Sequence, residues 1–300
     1  MSNTHEVQSE PDVEAIRYEE ALAHVDEEPI ATNQREFFGY RHWVIATACV
    51  AYSVFHLLVM NVWPLETWAY RLSHVGGGLV LGFLIFAAGN TRTDGHAPRG
   101  IVSHLVLAVA GGLITLAFAM FLILWRYSLD EDGVAAPAWV MTAYGLPLFI
   151  GTCLALAHSW FIQDDRKNRY ALADILLALA AVTSIAYIIL FSRQLQLRAG
   201  MPMALPSDMW AAITGVILIV ELTRRLAGLA LVIISSVFVA YAFLGPWLPG
   251  ILYHRGYEAK RFFTYIFTDN GILSAPIAIS STYIILFVIF AAFLQVTRVG

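Results

Sequence analysis

The stretch ILIVELTRRLAGLALVII, residues 217–234, decides the fold because it places charged side chains between two apolar runs. The charged residues are Glu221, Arg224 and Arg225. In the whole chain 59% of the residues are hydrophobic and only 13% are charged, and the mean hydropathy is +0.67. Soluble domains are much more polar. The charged group therefore predicts a turn at a membrane face, between two helices that cross the membrane.

The apolar runs predict the fold class, which is an all-α polytopic membrane protein. A helix needs about 20 apolar residues to cross a hydrocarbon core, and several runs reach that length. Inside lipid, the backbone polar groups must bond within the segment, which favours helices. The sequence predicts eight transmembrane spans: 42–62, 71–89, 101–125, 138–161, 171–191, 209–224, 226–247 and 271–295.

Residues 1–41 have a different composition and predict an acidic, disordered cytoplasmic tail. They hold ten Asp and Glu against three Arg, with few apolar residues before Phe37. Such a segment cannot bury enough apolar surface to fold. Because no apolar stretch follows a basic start, we do not expect a cleavable signal peptide, and the first span is expected to direct insertion.

The distribution of Lys and Arg predicts the orientation in the membrane. With eight spans, eleven of the 18 basic residues lie on the side of the N-terminus and seven lie on the other side. Loops rich in Lys and Arg tend to stay in the cytoplasm. We therefore expect both termini to be cytoplasmic.

Glu221 is predicted to lie near the cytoplasmic end of the sixth span, thirteen residues after Asp208, which is about 20 Å along a helix. Arg224 and Arg225 are its neighbours on a helix face. One interpretation is an interfacial ion pair whose arginines reach the lipid phosphates. The other is that Glu221 contacts a moving partner helix. Gly228 is expected to permit close packing at the turn.

Asp174 is a candidate site residue because a carboxylate inside a predicted span needs a partner or a polar path. It lies one turn into the fifth span, after the segment DDRKNR, residues 164–169. Pairing with a basic residue of that segment is the first interpretation. A position on a polar path is the alternative.

Histidines in the predicted spans raise the alternative of a haem protein. They occur one to a helix, at His56, His74, His104 and His158. A membrane haem needs histidines that face each other at matched depth, and His56 and His104 are the pair considered. The rival function on this basis is a membrane-embedded, cytochrome-like electron carrier.

The sequence holds no motif of a soluble enzyme. It has no glycine-rich phosphate loop, no Cys or His spacing typical of a metal site and no nucleophile motif. It also has no basic domain for nucleic acid. We therefore predict a chain that is not an enzyme, has no cofactor of its own and does not bind nucleic acid. A purely structural membrane assembly subunit is a further alternative.

Two early segments resemble a known family of membrane proteins. They are RHWVIATACVAYSVFHLL, residues 41–58, and YRLSHVGGGLVLGFLIF, residues 70–86. Both resemble the opening of the fused membrane subunits of tripartite ATP-independent periplasmic (TRAP) transporters of the TAXI type. In that family an aromatic and basic start leads into the first helix and an R-x-x-H element opens the next. Arg71 and His74 match that element.

Later segments continue the resemblance in the same order. RYALADILLALAAVTSIAY, residues 169–187, is one, and LIVELTRRLAG, residues 218–228, is similar to the family's L-E-x-x-R-R-x-x-G turn. VAYAFLGPWLPGILYHRGY, residues 239–257, follows. NGILSAPIAISSTYIILFVIFAAFL, residues 270–294, resembles the family's G-I-x-G-x-P segment, with Ser274 where glycine is usual. In these last two segments the matching residues are Tyr241, Gly245, Pro249, Gly250, Gly256, Gly271, Pro276, Ser280, Tyr283, Phe287 and Phe293.

The resemblance implies a division of the chain. Residues 42–224 would be a scaffold like the family's small subunit, within which 97–165 has no counterpart and resembles an inserted helical hairpin. Residues 225–300 would be the beginning of the large transport subunit. In the family, the broken hairpins that hold sodium and substrate follow the G-I-x-G-x-P segment. The resemblance therefore implies an incomplete or split subunit, with the substrate-binding residues beyond Gly300.

The resemblance implies secondary active transport across the bacterial inner membrane. A periplasmic substrate-binding protein would deliver an organic anion, and a sodium gradient would drive its uptake by symport. Na+ is thus implied for the complete transporter, and the implied partners are the binding protein, the remainder of the large permease subunit and the lipid bilayer. Transporter sites use discontinuous helices, and the candidate breaks here are 271–276 and 145–147.

Overall fold

The computed structural model describes residues 33–89, 100–129, 136–162, 166, 168–201 and 203–298. Within these residues the chain is mainly helical, and Gln34 and Phe86 form an isolated β-bridge. A π-helical turn, Ser280–Ile284, precedes the last helix. The α-helices are α1 (Tyr40–Asn61), α2 (Thr67–Ile85), α3 (Ile101–Ser128), α4 (Ala138–Phe161), α5 (Leu172–Leu190), α6 (Ser192–Arg198), α7 (Pro206–Ala227), α8 (Leu229–Leu244), α9 (Ala259–Ile266), α10 (Ala275–Ile279) and α11 (Ile285–Thr297).

Six helical segments in the described part of the chain are long and apolar enough to cross a membrane. They are α1, α3, α4, α5, Leu229–Trp247 and Ala275–Thr297. An all-α membrane protein is thereby confirmed. Helices α2 and α7 occupy the positions of the second and sixth predicted spans, but polar residues such as Arg71 and Glu221 lower their hydropathy. Eight spans therefore stay a prediction.

Long-range bonds place the helix ends at two opposite faces of the bundle. At one face, the Arg35 amide donates to the carbonyl of Ile85 at the end of α2 (2.9 Å). The Arg35 guanidinium also reaches Asp174, in the first turn of α5. At the other face, Trp68 at the start of α2 donates to Asp269 (2.8 Å). Successive long helices thus run in alternating directions.

The core of the bundle lies around α5, which packs against α2, α3, α4 and α7. The segment 97–165 contributes to this core, because α3 and α4 form an antiparallel pair with buried side chains such as Ile114 and Tyr144. Gly151 lets these two helices approach closely, since a Cβ there would lie 2.8 Å from Ile114 Cγ1. Whether this pair is an insertion stays a prediction.

The two candidate helix breaks have different outcomes. Helix α4 continues without interruption across Pro147, so a break at 145–147 is wrong. Gly145 instead gives room to the Trp210 ring, and neighbouring helices can accommodate a proline in a membrane helix. At 271–276 the chain is non-helical from the end of α9 to the start of α10, and the π-helical turn follows directly.

The close packing expected at Gly228 is not observed. The turn lies where it is predicted, but none of the residues of α8 is buried, so α8 does not pack closely along α7. Gly228 has φ of 76° and open space where a Cβ would stand. Its contribution is therefore the left-handed backbone conformation that ends α7, and not close packing.

The prediction of a solvated tail over 1–41 is wrong for its last part. From residue 33 onward the chain is described and packs onto the bundle, and Arg35 is only 3% exposed. The side chain of Asn33 donates to the carbonyl of Arg225 (2.8 Å). The reason is charge, because Arg35 neutralises a buried carboxylate. Residues 1–32 lie outside the described residues.

Candidate functional site

A cluster of five charged side chains lies at the face of the bundle where α2 and α7 end. We call Arg35, Asp174, Glu221, Arg224 and Arg225 the charge cluster. Asp174 accepts from Arg35 Nη2 (2.5 Å) and from Arg225 Nη1 (2.8 Å), and its side chain is 3% exposed. The two arginines are 190 residues apart in the sequence. The cluster therefore attaches the segment before α1, which carries Arg35, to α5 and α7.

Glu221 is the second carboxylate of the charge cluster. It accepts from Arg225 Nε (2.7 Å) and from both Nε (2.8 Å) and Nη2 (2.9 Å) of Arg224. Trp160 Nε1, on α4, donates to the same carboxylate (2.9 Å). Glu221 is therefore fully bonded and is 2% exposed. The contact with α4 agrees with a partner-helix interpretation, although motion of that helix stays a hypothesis.

The arginines of the charge cluster also cap the end of α2. Arg35 Nη1 donates to the carbonyl of Phe83 (3.3 Å), and Arg225 Nη1 donates to that of Phe86 (2.9 Å). Arg224 bonds to the carbonyl two residues further on (3.0 Å). The last carbonyls of a helix have no partner inside the helix and carry partial negative charge. The guanidinium groups supply both hydrogen-bond donors and positive charge to these carbonyls.

Two predictions about the charge cluster need correction. The side chain of Arg225 is 0% exposed and bonds to Asp174 and Glu221, so it does not reach the lipid phosphates. Arg224, whose side chain is 22% exposed, is the more superficial of the two. The recorded partners of Asp174 are Arg35 and Arg225, not the basic residues of 164–169. Pairing of this kind offsets the cost of burying the charges.

At the opposite face, Arg71 attaches the start of α2 to the non-helical segment before α10. Its Nη1 donates to Asp269 Oδ1 (2.8 Å) and to the carbonyl of Leu273 (2.6 Å). Gly271 in this segment has no space for a side chain, because a Cβ would lie 2.1 Å from the carbonyl oxygen of Ile266. The sequence did not identify Asp269.

His74 lies one turn further along α2 and faces the π-helical turn. Its Nε2 is 3.1 Å from Ser280 Oγ, and its Nδ1 is 2.9 Å from both His56 Nε2 and Tyr52 Oη. Nearby, Tyr70 donates to the backbone carbonyl of residue 281. We call His56 and His74 the histidine pair. The R-x-x-H element and the last segment of the resemblance therefore form one site.

The histidines are not arranged as the haem alternative requires. His56 faces His74 rather than His104, and His104 donates to the carbonyl of Gly100 within its own helix (2.8 Å). His158 Nε2 is 2.8 Å from Ser103 Oγ, between α3 and α4. Over the described residues, no group of three or more His, Cys, Asp and Glu could hold a metal ion.

A third buried carboxylate, that of Asp208, lies at the Asp269 face and was missed as a site. Asp208 is 1% exposed and accepts from Tyr187 Oη (2.7 Å), from Arg198 Nε (2.6 Å) and from the backbone amide of Leu205 (2.9 Å). Burial lowers the pKa of Arg198, but the bond to Asp208 raises it overall. Asp208 in the first turn of α7 is a capping signal that can be recognised in the sequence. Its bonds to Tyr187 and Arg198 cannot be recognised there.

Comparison with known proteins gives no match: no family, no curated protein and no solved structure is similar to this chain. The resemblance to TRAP transporters therefore rests on the residues of the motifs alone. Of those residues, the structure brings Arg71 and His74 together with the segment from Asp269 to Ser280. It brings Glu221, Arg224 and Arg225 together at the opposite face.

Proposed function

We propose that the chain is the membrane scaffold, with the first part of the transport unit, of a TRAP-type permease in a bacterial inner membrane. The complete transporter would take up an organic anion from a periplasmic binding protein by symport with sodium, and the N-terminus would be cytoplasmic. One observation carries the proposal. Arg71 donates to the carbonyl of Leu273, 202 residues away, so two motifs of the same family resemblance meet in space.

The geometry around Arg71 supports a transport-related site. The chain between α9 and α10 is non-helical next to apolar helices, and carbonyls such as that of Leu273 bond to side chains instead of to a helix. Non-helical backbone at membrane depth is tolerated where it is buried in protein or lines a cavity. Secondary transporters use such discontinuous helices around their substrates.

The charge cluster supports a scaffold role for the rest of the chain. Both carboxylate oxygens of Asp174 and of Glu221 accept bonds from arginine or indole N–H groups, so the neighbouring arginines compensate their charge. The cluster joins α2, α4, α5 and α7. Such a body would serve as the rigid part against which a transport unit moves.

An uptake experiment in membrane vesicles tests the proposal. Vesicles would come from cells that express the chain together with its neighbouring genes, and a panel of radiolabelled mono- and dicarboxylates would be offered with the binding protein. We expect accumulation of at least one carboxylate that requires both an inward sodium gradient and the binding protein. Absence of any such accumulation, or a Soret band in the purified protein, would overturn the proposal.

A pair of arginine variants locates the function at the Arg71 site. Arg71→Gln removes the bonds to Asp269 and to the carbonyl of Leu273, and should abolish most of the uptake at an unchanged amount of protein. Arg126→Gln is the matched control, because Arg126 is exposed in the last turn of α3. Equal uptake by both variants would contradict the assignment of the site.

A further inference from the structure

The chain between α8 and α9 folds back onto the end of α8. We call residues 246–257 the aromatic loop. The amide of Tyr257 donates to the carbonyl of Ala242 (3.2 Å), and the amide of His254 donates to that of Gly245 (3.3 Å). The loop therefore returns to the last turns of the helix that it has just left.

The ring of His254 fills the space between the aromatic loop and α8. Its Nε2 donates to the carbonyl of Tyr241 (3.0 Å), and its Nδ1 accepts from the amide of Gly256 (3.0 Å). One neutral imidazole makes both bonds, since it has one donor and one acceptor nitrogen. At Gly245 there is no room for a side chain, because a Cβ would lie 2.3 Å from the ring. These bonds hold the loop against α8 in a defined conformation.

This conformation turns the large apolar side chains of the aromatic loop outward. Ile251 is 99% exposed and Trp247 is 77% exposed. Leu252, Tyr253 and Tyr257 are each at least half exposed. The bonds within the loop leave these side chains uncovered, so their exposure is a property of the fold. An apolar surface of this kind marks contact with a membrane or with another protein.

The position of the aromatic loop favours the membrane. The segment Leu229–Trp247 begins after Gly228, at the face of the charge cluster, and its 19 residues extend over about 28 Å. A hydrocarbon core is about 30 Å thick, so Trp247 lies at the opposite interface. Ala242, to which the loop returns, precedes Trp247 by about 7 Å along the helix. The returning part of the loop therefore lies at the depth of the last turns of a membrane span.

The lipid-facing surface of α8 continues into the aromatic loop. None of the residues of α8 is buried, and an apolar helix without buried residues is surrounded by lipid in a bilayer. Leu244 in its last turn and Trp247 just after it are both exposed. We propose that the aromatic loop inserts its apolar side chains into the lipid interface at the Asp269 face. The inference does not depend on the proposed transport function.

The composition of this region fits a phospholipid surface. Trp and Tyr are enriched at membrane interfaces, where the ring contacts apolar chains and its polar atom stays hydrated. Arg255, Lys260 and Arg261 carry three positive charges against the one negative charge of Glu258. Arg255 and Arg261 are exposed. Positive charge next to an apolar surface strengthens binding to anionic lipids. The region therefore fits an anionic phospholipid better than a neutral one.

Spin labels on the whole protein in nanodiscs test the insertion. With Cys49 and Cys153 replaced by Ala, the label would be attached to Ile251→Cys, to Val237→Cys in α8 or to Asn270→Cys at an exposed polar position. Oxygen concentrates in lipid, whereas a neutral nickel chelate stays in water.

We expect the ratio of oxygen to nickel collisions at Ile251 to lie clearly above that at Asn270. It should be below that at Val237, because the loop lies at the interface and not in the hydrocarbon core. A ratio at Ile251 equal to that at Asn270 would place the loop in water, as a surface that docks a soluble protein requires. That result would overturn the proposal.

Lipid charge tests the contribution of the arginines. Ile251→Cys would be labelled in nanodiscs of phosphatidylcholine alone and of phosphatidylcholine with phosphatidylglycerol. Anionic lipid should lower the nickel collisions at this position, because it draws the aromatic loop deeper. Arg255→Gln combined with Arg261→Gln should remove most of the difference between the lipids, and Arg126→Gln, outside the loop, should keep it. Equal collision rates in the two lipids, or a full difference without both arginines, would contradict the role of the charges.

Discussion

Helix α5 and the segment Leu229–Trp247 are equally apolar but have opposite surroundings. Their most apolar windows have the same mean hydropathy, yet 67% of the window in α5 is buried against 6% in Leu229–Trp247. The difference lies in side chains that bond to other helices. In α5, Asp174 pairs with two arginines and Ser184 donates to the carbonyl of Ala211 (2.7 Å). Hydropathy thus identifies a membrane helix, and bonded polar side chains identify one that packs centrally.

Among the variants that test this comparison, removal of the Asp174 charge should cause the largest loss of unfolding free energy. Asp174→Asn leaves Arg35 and Arg225 buried with an incomplete partner, which should cost about 3–5 kcal/mol of unfolding free energy. Asp269→Asn is the matched control, because the side chain of Asp269 is 56% exposed and its ion pair should contribute about 1 kcal/mol or less. Denaturant titration in detergent measures both. Equal losses would show that burial does not distinguish the two carboxylates.

Glu221→Gln should be the next most severe change. Arg225 keeps its bond to Asp174 and Arg224 is partly exposed, so the expected loss is about 1–3 kcal/mol. An ion pair at the lipid interface would lose less than about 1 kcal/mol. The same titration distinguishes these values. Glu258→Gln, at an exposed position before α9, should be unchanged, and a loss as small as that control would restore the interfacial interpretation.

Enlargement of small side chains tests the apolar part of the comparison. Ala180 of α5 is 0% exposed, and Ala180→Leu should destabilise the fold by about 1–3 kcal/mol through overpacking. Ala240 of α8 is exposed, so Ala240→Leu should have no measurable effect on unfolding in detergent. A large loss of unfolding free energy from Ala240→Leu would show that α8 packs against the bundle despite its exposed side chains.

Local sequence predicts most of the helices but not how they are joined. The fourth predicted span, 138–161, has the bounds of α4, because apolar length and flanking polar residues are local signals. Arg35 was assigned to a solvated tail, since only the folded chain shows that it reaches Asp174, 139 residues away. No spacing rule covers such a pair, because its distance along the chain is set by the order of the helices.

The two candidate sites differ in how far the sequence could reveal them. Glu221 and its arginines are neighbours on one helix, so their pairing follows from spacing. Arg71, His74 and Ser280 were singled out by family resemblance, but Asp269 and the contacts between these residues were not. A serine in an apolar run carries no signal by itself. It gains its role from the π-helical turn that presents it to α2.

Cysteine labelling tests the central claim, which is that the polar helix α2 crosses the membrane together with the apolar ones. The two native cysteines, Cys49 and Cys153, would be replaced by Ala, and single cysteines would be introduced at Phe38 and at Met203. Both positions are exposed, at 62% and 77%. An impermeant maleimide would be applied to intact cells and to lysed cells.

If all eight helices cross, Phe38 and Met203 lie on opposite sides. We then expect Met203→Cys to react in intact cells and Phe38→Cys to react only after lysis. If only the six apolar helices cross, α2 does not cross the membrane. Both positions would then lie on the same side. Equal reactivity of the two cysteines in intact cells, or protection of both, would contradict the account.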